Sequence, residues 1–371
     1  MTVQEKRANF KSQMMDSSRM KVLCGAFDGI TARAAQAADF FDGCYMGGQA
    51  AAASLLGVPD LGLVCGCEQT KHAQDLASCV DLPFLIDADT GYGNELNVRR
   101  TMRDLEAAGI CGAHFEDQVT PKRCGGMKGV QIETAQVFIR KIETALTFRR
   151  DPNFLVIARS DAAEVEGEDE AIRRLNLAAE AGADMGFLFS SKGVFETLDS
   201  VKRACDQIKV PILYCLMEFC PEVCFTLEEL RQAGVRAIIW PNGLLMRWCK
   251  AASDLIQQFK ETGDCKTFFD QLMPIDQCNQ LLGSRDWNPS GMFLFLLRHQ
   301  ASAVFGADLV FFSDRPYFLP PHSPVVKLSF FLVPSIRTRY DSSSRLGHDR
   351  GIPGLKLSQI SYNLKEIFYF L

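Results

Sequence analysis

Short apolar runs alternate with longer amphipathic stretches along most of this chain, and that rhythm limits the folds open to it more than any other feature. Lys21–Ala26 reads as a strand, Thr31–Phe40 as an Ala-rich helix and Gly43–Met46 as a second strand. Leu82–Ile86, bounded by Asp81 and Asp87, is a third strand, and Asn97–Ala108 shows helical spacing ended by Gly109. Ala113–Glu116 with Thr134–Phe148, Phe154–Ala158 with Asp169–Ala181, and Met185–Phe189 with Val194–Ile208 repeat the pattern. Val210–Met217, Thr226–Ala233, Arg236–Trp240 and Leu244–Phe259 complete it. Strand–helix alternation implies a parallel sheet. Eight such units in about 240 residues favour a closed barrel over an open sheet, and no G-x-G-x-x-G follows the first strand. The expected fold class is α/β, a (β/α)₈ TIM barrel.

The barrel is expected over residues 20–283, after an N-terminal extension at 1–19. Residues 284–371 differ in character. Apolar bursts (Met292–Leu297, Leu328–Val333) sit beside Pro320-Pro321-His322-Ser323-Pro324 and the polar run Ser342-Ser343-Ser344-Arg345. No helical or strand period is sustained there, which reads as a disordered or loosely packed tail.

A composition of 47% hydrophobic and 23% charged residues suits a large globular core. The net charge of −5 gives no nucleic-acid footprint, so an anionic ligand needs local positive charge. No stretch reaches the ~18 uncharged apolar residues of a spanning helix, and Met1–Met20 lacks the apolar core of a secretory signal. The expected setting is the cytoplasm, with mitochondria left open, and neither nucleic acid nor membrane as partner. Of 14 cysteines, Cys24, Cys111, Cys205, Cys215 and Cys249 lie in apolar-patterned segments and read as small hydrophobes. Cys65-Gly-Cys67 is a weak signal by itself.

Polar residues gather at the carboxyl ends of the expected strands, where barrel enzymes place their chemistry. The third strand leads into Asp87-Ala-Asp89-Thr-Gly-Tyr-Gly93, the fourth into His114-Phe-Glu116-Asp117-Gln118, and the fifth into Arg159-Ser-Asp161. Asp60, in Pro59-Asp60-Leu-Gly62, follows the second. Each acid alone reads equally well as a helix cap or a solvated loop residue. Together at one barrel mouth they would repel unless a hard cation such as Mg²⁺ or Mn²⁺ gathered them. Arg159 offers a planar fork for a carboxylate, or an ion pair with Glu116 or Asp161. Gly47 and Gly48 allow backbone N–H groups close to an anion, or make only a tight turn. The loop Thr120–Gly129 is glycine-rich and basic, as a mobile lid would be, and carries one thiol. Lys122, Arg123 and Lys128 are expected to lower the pKa of Cys124 towards thiolate. A solvated basic loop with an incidental cysteine is the plainer alternative.

The motifs Asp87–Gly93, His114–Gln118 and Lys122-Arg-Cys-Gly125 resemble the metal and lid motifs of methylisocitrate lyase, oxaloacetate hydrolase and dimethylmalate lyase. These belong to the isocitrate lyase and phosphoenolpyruvate mutase superfamily. Tyr45-Met-Gly-Gly48, Pro59–Gly62, Ala158–Asp161 and Glu180–Asp184 fall in the matching order. The resemblance spans residues 20–260 and continues more weakly to 283. It implies a barrel that swaps its last helix in a dimer and assembles as a homodimer or homotetramer. It further implies Mg²⁺ (or Mn²⁺) near Asp87, Asp89, Glu116 and Asp60, and a small carboxylic acid held by Met46, Gly47, Gly48, Gly125 and Arg159. Catalytic roles fall to Cys124, Arg159 and Tyr45: carbon–carbon cleavage leaves an enediolate, stabilised by the metal, that Cys124 protonates, while Tyr45 manages the hydroxyl proton. Cysteine at this lid position marks the lyase and hydrolase branches, whereas the phosphonate mutases carry Asn.

The chain departs from the lyase pattern on the substrate side. Gly126 stands where the lid has His, Phe189 where a Glu pairs with the arginine, Cys215 and Met217 where Asn and Thr bind a carboxylate, and Met46 where Ser precedes the glycine pair. A tricarboxylate would lose hydrogen bonds here, each at a cost of roughly a few kcal/mol. The expected activity is Mg²⁺-dependent carbon–carbon cleavage of a small 2-hydroxy or 2-oxo dicarboxylic acid of alkylmalate type. Oxaloacetate-type hydrolysis or decarboxylation, phosphonomutase-like chemistry and a silent ligand-binding barrel are the alternatives.

Overall fold

In the computed structural model, which describes residues 1–287, eight parallel strands close into a barrel in chain order. They are β1 (Lys21–Gly25), β2 (Gly43–Met46), β3 (Phe84–Asp87), β4 (Gly112–Glu116), β5 (Leu155–Arg159), β6 (Met185–Phe189), β7 (Ile212–Cys215) and β8 (Ala237–Trp240). Met1–Leu282 forms one compact unit. Of a second, Gly283–Leu371, only Gly283–Trp287 is described, with a short helix at Ser284–Trp287. Beyond Trp287 the expected tail lies outside the described residues.

The strands are buried on both faces, which is why they read in sequence as unbroken apolar runs. Leu23, Tyr45, Leu85, Leu155, Leu213 and Ile239 pack inside the barrel. Their neighbours Cys24, Met46, Ile86, Val156, Tyr214 and Ile238 pack outward against the helices. This period-2 alternation decides which strand residues can reach the barrel mouth.

The N-terminal extension expected at residues 1–19 contains a helix. Val3–Met15 is a helix, capped by Thr2, whose Phe10 and Met14 enter the inner core. Arg7 is buried beside them, donating from Nε to the Ile110 carbonyl at 2.8 Å and from Nη2 to the Glu106 carbonyl at 2.6 Å. Its Nη1 pairs with Asp151 at 3.2 Å. Two further helices, Gly48–Leu56 and Gly66–Cys79, follow β2. The first is an alanine run without apolar periodicity, and the second is largely polar, so neither stands out in the sequence. Among the described residues no helix is long and apolar enough to cross a membrane.

Candidate active site

Sheet register assembles the site. Asp87 at the end of β3 pairs with His114 on β4, and Glu116 at the end of β4 pairs with Arg159 at the end of β5. Adjacent strands stand about 4.8 Å apart, so two carboxylates and a guanidinium emerge side by side. Arg159 is held on several sides. Nε and Nη2 donate to the two Asp161 oxygens at 2.9 and 3.2 Å, while Nη1 lies 3.2 Å from Glu116 Oε2 and 3.7 Å from Asp87 Oδ2. The rings of Phe187 and Phe189 flank it at 5.1 and 5.6 Å. Both ion pairs anticipated from sequence exist, and Asp161 takes one edge of the fork. Arg159 still lines the cavity at the barrel mouth.

His114 is fully buried between Tyr45 and Asp87. Its Nε2 lies 2.8 Å from the Tyr45 hydroxyl and its Nδ1 lies 3.5 Å from Asp87 Oδ1. Burial lowers the imidazole to about 4, so the ring is neutral at pH 7. Burial opposes ionisation of Asp87 as well, but His114, Lys122 and Arg159 outweigh it and hold this carboxyl well below its ordinary value.

The loop after β4 reaches back over the mouth. Lys122 Nζ binds Asp60 Oδ2 at 2.7 Å and Asp89 Oδ1 at 2.9 Å. Gly48 makes room for this pairing, because a Cβ there would stand 2.7 Å from Nζ and 3.0 Å from Asp60 Oδ2. The Gly48 N–H donates to Asp87 Oδ2 at 3.3 Å. Gln118 anchors the loop base, donating to the Arg123 carbonyl and accepting its N–H, both at 2.9 Å. The Gly126 N–H donates to Glu164 Oε1 at 2.6 Å.

The thiolate expected at Cys124 is overturned. Burial, reinforced by Asp60, pushes this thiol up to about 12. The lysine that was to stabilise a thiolate is turned into the Asp60–Asp89 pair, and Arg123 Nη1 donates to the Lys128 carbonyl instead. Cys124 is therefore a protonated thiol facing the cavity, suited to giving a proton.

The cavity encloses about 490 Å³ of space, its open mouth included. Tyr45, Gly47, Gly48, Asp60, Asp87 and Arg159 form its polar wall, with Cys124 and Gly125 above. Phe189, Cys215, Met217 and Phe219 form an apolar wall. Met46 does not take part: its side chain is fully buried on the outer face of β2, because Tyr45 takes the inward position. Asp89 and Glu116 are buried behind the cavity rather than lining it.

Among the described residues, no three His, Cys, Asp or Glu side chains converge closely enough to ligate one ion together. The donor set nevertheless suits a hard divalent cation that keeps several waters. Neither Glu116 oxygen accepts a hydrogen bond among the described residues although both are buried, with Arg159 nearest Oε2, while Asp89 Oδ1 meets the Lys122 ammonium. Burial, with the neighbouring acids, pushes Glu116 well up and Asp89 up to about 7 despite Arg159 and Lys122 beside them.

Comparison with known proteins places the chain in a family. The sequence profile of the phosphoenolpyruvate phosphomutase family matches residues 10–260. The chain belongs to that family. A probable 2-methylisocitrate lyase of Corynebacterium glutamicum is 36% identical over 71% of this chain and 84% of its own. The 2,3-dimethylmalate lyase of Eubacterium barkeri is 34% identical over 73% of this chain and 92% of its own. In structure, oxaloacetate acetylhydrolase in complex with 3,3-difluorooxalacetate superimposes with a TM-score of 0.71 at 28% identity, covering 77% of this chain and 97% of that one. Phosphonopyruvate hydrolase in complex with oxalate and Mg²⁺ gives 0.67 at 25% identity, covering 83% and 100%. The chain is an enzyme of the isocitrate lyase and phosphoenolpyruvate mutase superfamily, in the branch whose named relatives include carbon–carbon lyases.

Two cavity residues and one that holds the loop escaped sequence reasoning. Gln49 lines the mouth next to the glycine pair, with Oε1 3.9 Å from Cys124 Sγ, and Asn242 lines it after β8. Glu164, which tethers the loop at Gly126, stands three residues beyond Asp161 with no motif to mark it. Only the position of Gln49 beside Gly47-Gly48 offered a signal.

Proposed function

We propose that this enzyme cleaves a carbon–carbon bond in a small 2-hydroxy or 2-oxo dicarboxylic acid bearing an apolar substituent, with Mg²⁺ or Mn²⁺ as cofactor. The observation that carries this reading is the mixed lining of the cavity: Asp87, Arg159, Tyr45 and Cys124 together with the apolar Phe189, Met217 and Phe219. Asp87, Asp60, Asp89 and Glu116 are the residues that would hold the cation. When bound, the cation supplies positive charge beside the oxygens of the acid where negative charge develops on cleavage.

The chain's own residues supply the rest. Arg159 meets a substrate carboxylate at the cavity, and Asp161, Glu116 and the two phenylalanine rings keep its guanidinium in place. Tyr45, held as a neutral phenol by burial, takes the hydroxyl proton as the bond breaks while passing its own phenol proton to Nε2 of neutral His114, 2.8 Å away. Cys124, protonated and close above, delivers a proton to the enediolate carbon. The loop carrying it excludes water from that carbon. Phe189, Cys215 and Met217 would leave a third carboxylate without partners, a cost of roughly a few kcal/mol, so an alkylmalate suits the cavity better than methylisocitrate. Assembly as a homodimer or homotetramer is part of the same reading.

The test is a panel of 2,3-dimethylmalate, shorter alkylmalates, methylisocitrate and oxaloacetate with Mg²⁺, followed by detection of released oxo acids and acetate. Turnover of an alkylmalate with methylisocitrate inert supports the proposal. Acetate and oxalate released from oxaloacetate as the sole reaction would replace it with the hydrolase reading.

A further inference from the structure

Two thiols separated by one glycine open the helix Gly66–Cys79. Cys65 and Cys67 are both exposed, with their Sγ atoms 3.2 Å apart. Among the described residues no other two thiols touch. Glu68 Oε2 accepts from the Cys65 thiol at 2.9 Å and from the Cys65 N–H at 3.0 Å, which fixes that thiol over the first turn.

This turn is packed on the acid-bearing loop after β3. A Cβ on Gly66 would meet the Tyr92 ring at 2.6 Å, so the glycine backbone lies directly against that ring. Tyr92 has a left-handed backbone, φ 62°, and its buried hydroxyl has no hydrogen-bond partner among the described residues. Farther along the same turn, buried Gln69 donates from Nε2 to the Asp87 carbonyl at 2.9 Å. The dithiol turn thus touches the Asp87–Gly93 loop at both of its ends.

We propose that Cys65 and Cys67 form a redox-modification site, closed to an intramolecular disulfide by a small disulfide such as oxidised glutathione, and that closure shifts the Asp87–Tyr92 loop through Gly66 and Gln69. One cysteine thiolate attacks a sulfur of the small disulfide, forming a mixed disulfide and releasing one small thiolate. The other cysteine thiolate then attacks the cysteine sulfur of that mixed disulfide, and the second small thiolate leaves. The cysteine pair gives up two electrons and two protons, and the small disulfide takes them up as two thiols. Bond formation draws the sulfurs from 3.2 Å to about 2.05 Å. Closure tightens the turn whose Gly66 backbone lies directly against the Tyr92 ring. The effect on the cofactor site rests on the function proposed above; the disulfide itself does not.

The experiment equilibrates the full chain in graded glutathione redox buffers, alkylates the remaining thiols and maps the peptide containing residues 65–67 by mass. The expected product lacks the mass of two hydrogens in that peptide and is absent from the Cys65→Ser/Cys67→Ser variant. Amide exchange over residues 87–93 is then expected to rise, and Mn²⁺ binding to weaken about fivefold or more, as for ordinary coupling between sites. A glutathione adduct persisting on one cysteine, or no reaction where exposed Cys249 is modified, overturns the dithiol site. Full disulfide formation with unchanged exchange and Mn²⁺ binding overturns the coupling. If the reduced protein binds no Mn²⁺, the cofactor reading fails, while peptide mass and amide exchange still decide this proposal.

Discussion

Tyr45 and His114 meet across the barrel mouth with their rings nearly parallel, centroids 5.8 Å apart and planes inclined by 17°, and with the phenol oxygen 2.8 Å from Nε2. Neutral His114 in turn faces Asp87, so a buried imidazole joins the phenol and the carboxylate, both of which line the cavity. Tyr45→Phe removes the hydroxyl and leaves Nε2 unpartnered. Steady-state kinetics should register a fall in kcat/KM of about a hundredfold or more, against a stability loss of only about 1 kcal/mol. An unchanged kcat/KM would remove Tyr45 from the proton path.

Cys124 is expected to behave as a thiol across the neutral range, since burial holds it up at about 12. Iodoacetamide should label it far more slowly at pH 7 than exposed Cys249, with a rise only in strongly alkaline buffer. Cys124→Ser should lower turnover by roughly 10²-fold or more and leave Mn²⁺ affinity intact. Rapid labelling at neutral pH would point to a thiolate and a different chemical role.

Glu164 couples the loop to pH. Burial raises its carboxyl from 4.5 to about 6, so the folded state binds this proton more tightly than the unfolded chain does. Ionising Glu164 therefore costs the folded state, and its contribution to stability is full below about 4.5 and is lost as pH rises through about 6. Glu164→Gln keeps an acceptor for the Gly126 N–H without the charge. Thermal unfolding at both ends of that window should show the variant gaining on the native protein by about 1 kcal/mol towards higher pH, after allowance for solvent screening. Parallel pH profiles would contradict the assignment.

Arg7 tests whether the first helix is structural. Replacing it with Ala strands the Ile110 and Glu106 carbonyls and unpairs Asp151, a loss of about 3 kcal/mol. Denaturant unfolding measures it. A change within about 0.5 kcal/mol, the range of ordinary surface substitutions, would return residues 1–19 to the status of an extension.

Strand–helix periodicity was enough to expect the barrel, because strands buried on both faces write continuous apolar runs and the eight units repeat. Local motifs were enough to bring Asp87, Glu116 and Arg159 to adjacent strand ends, since each lies at the carboxyl end of its own run and sheet register does the rest. Helices Gly48–Leu56 and Gly66–Cys79 were not legible, for want of an apolar stripe.

What the sequence determined by itself was therefore whatever depends on near neighbours: periodicity, strand ends, the glycine-rich loop and the acid motifs. What only the tertiary structure decided depends on groups far apart in the chain. Lys122 meets Asp60 across 62 positions and Tyr45 meets His114 across 69, and those meetings set which charges are absorbed and which atoms remain free. Proton affinity follows burial and partners at a few ångströms, and neither is written in the residues on either side of Cys124. The same basic loop that suggested a thiolate thus folds into one that keeps its thiol protonated.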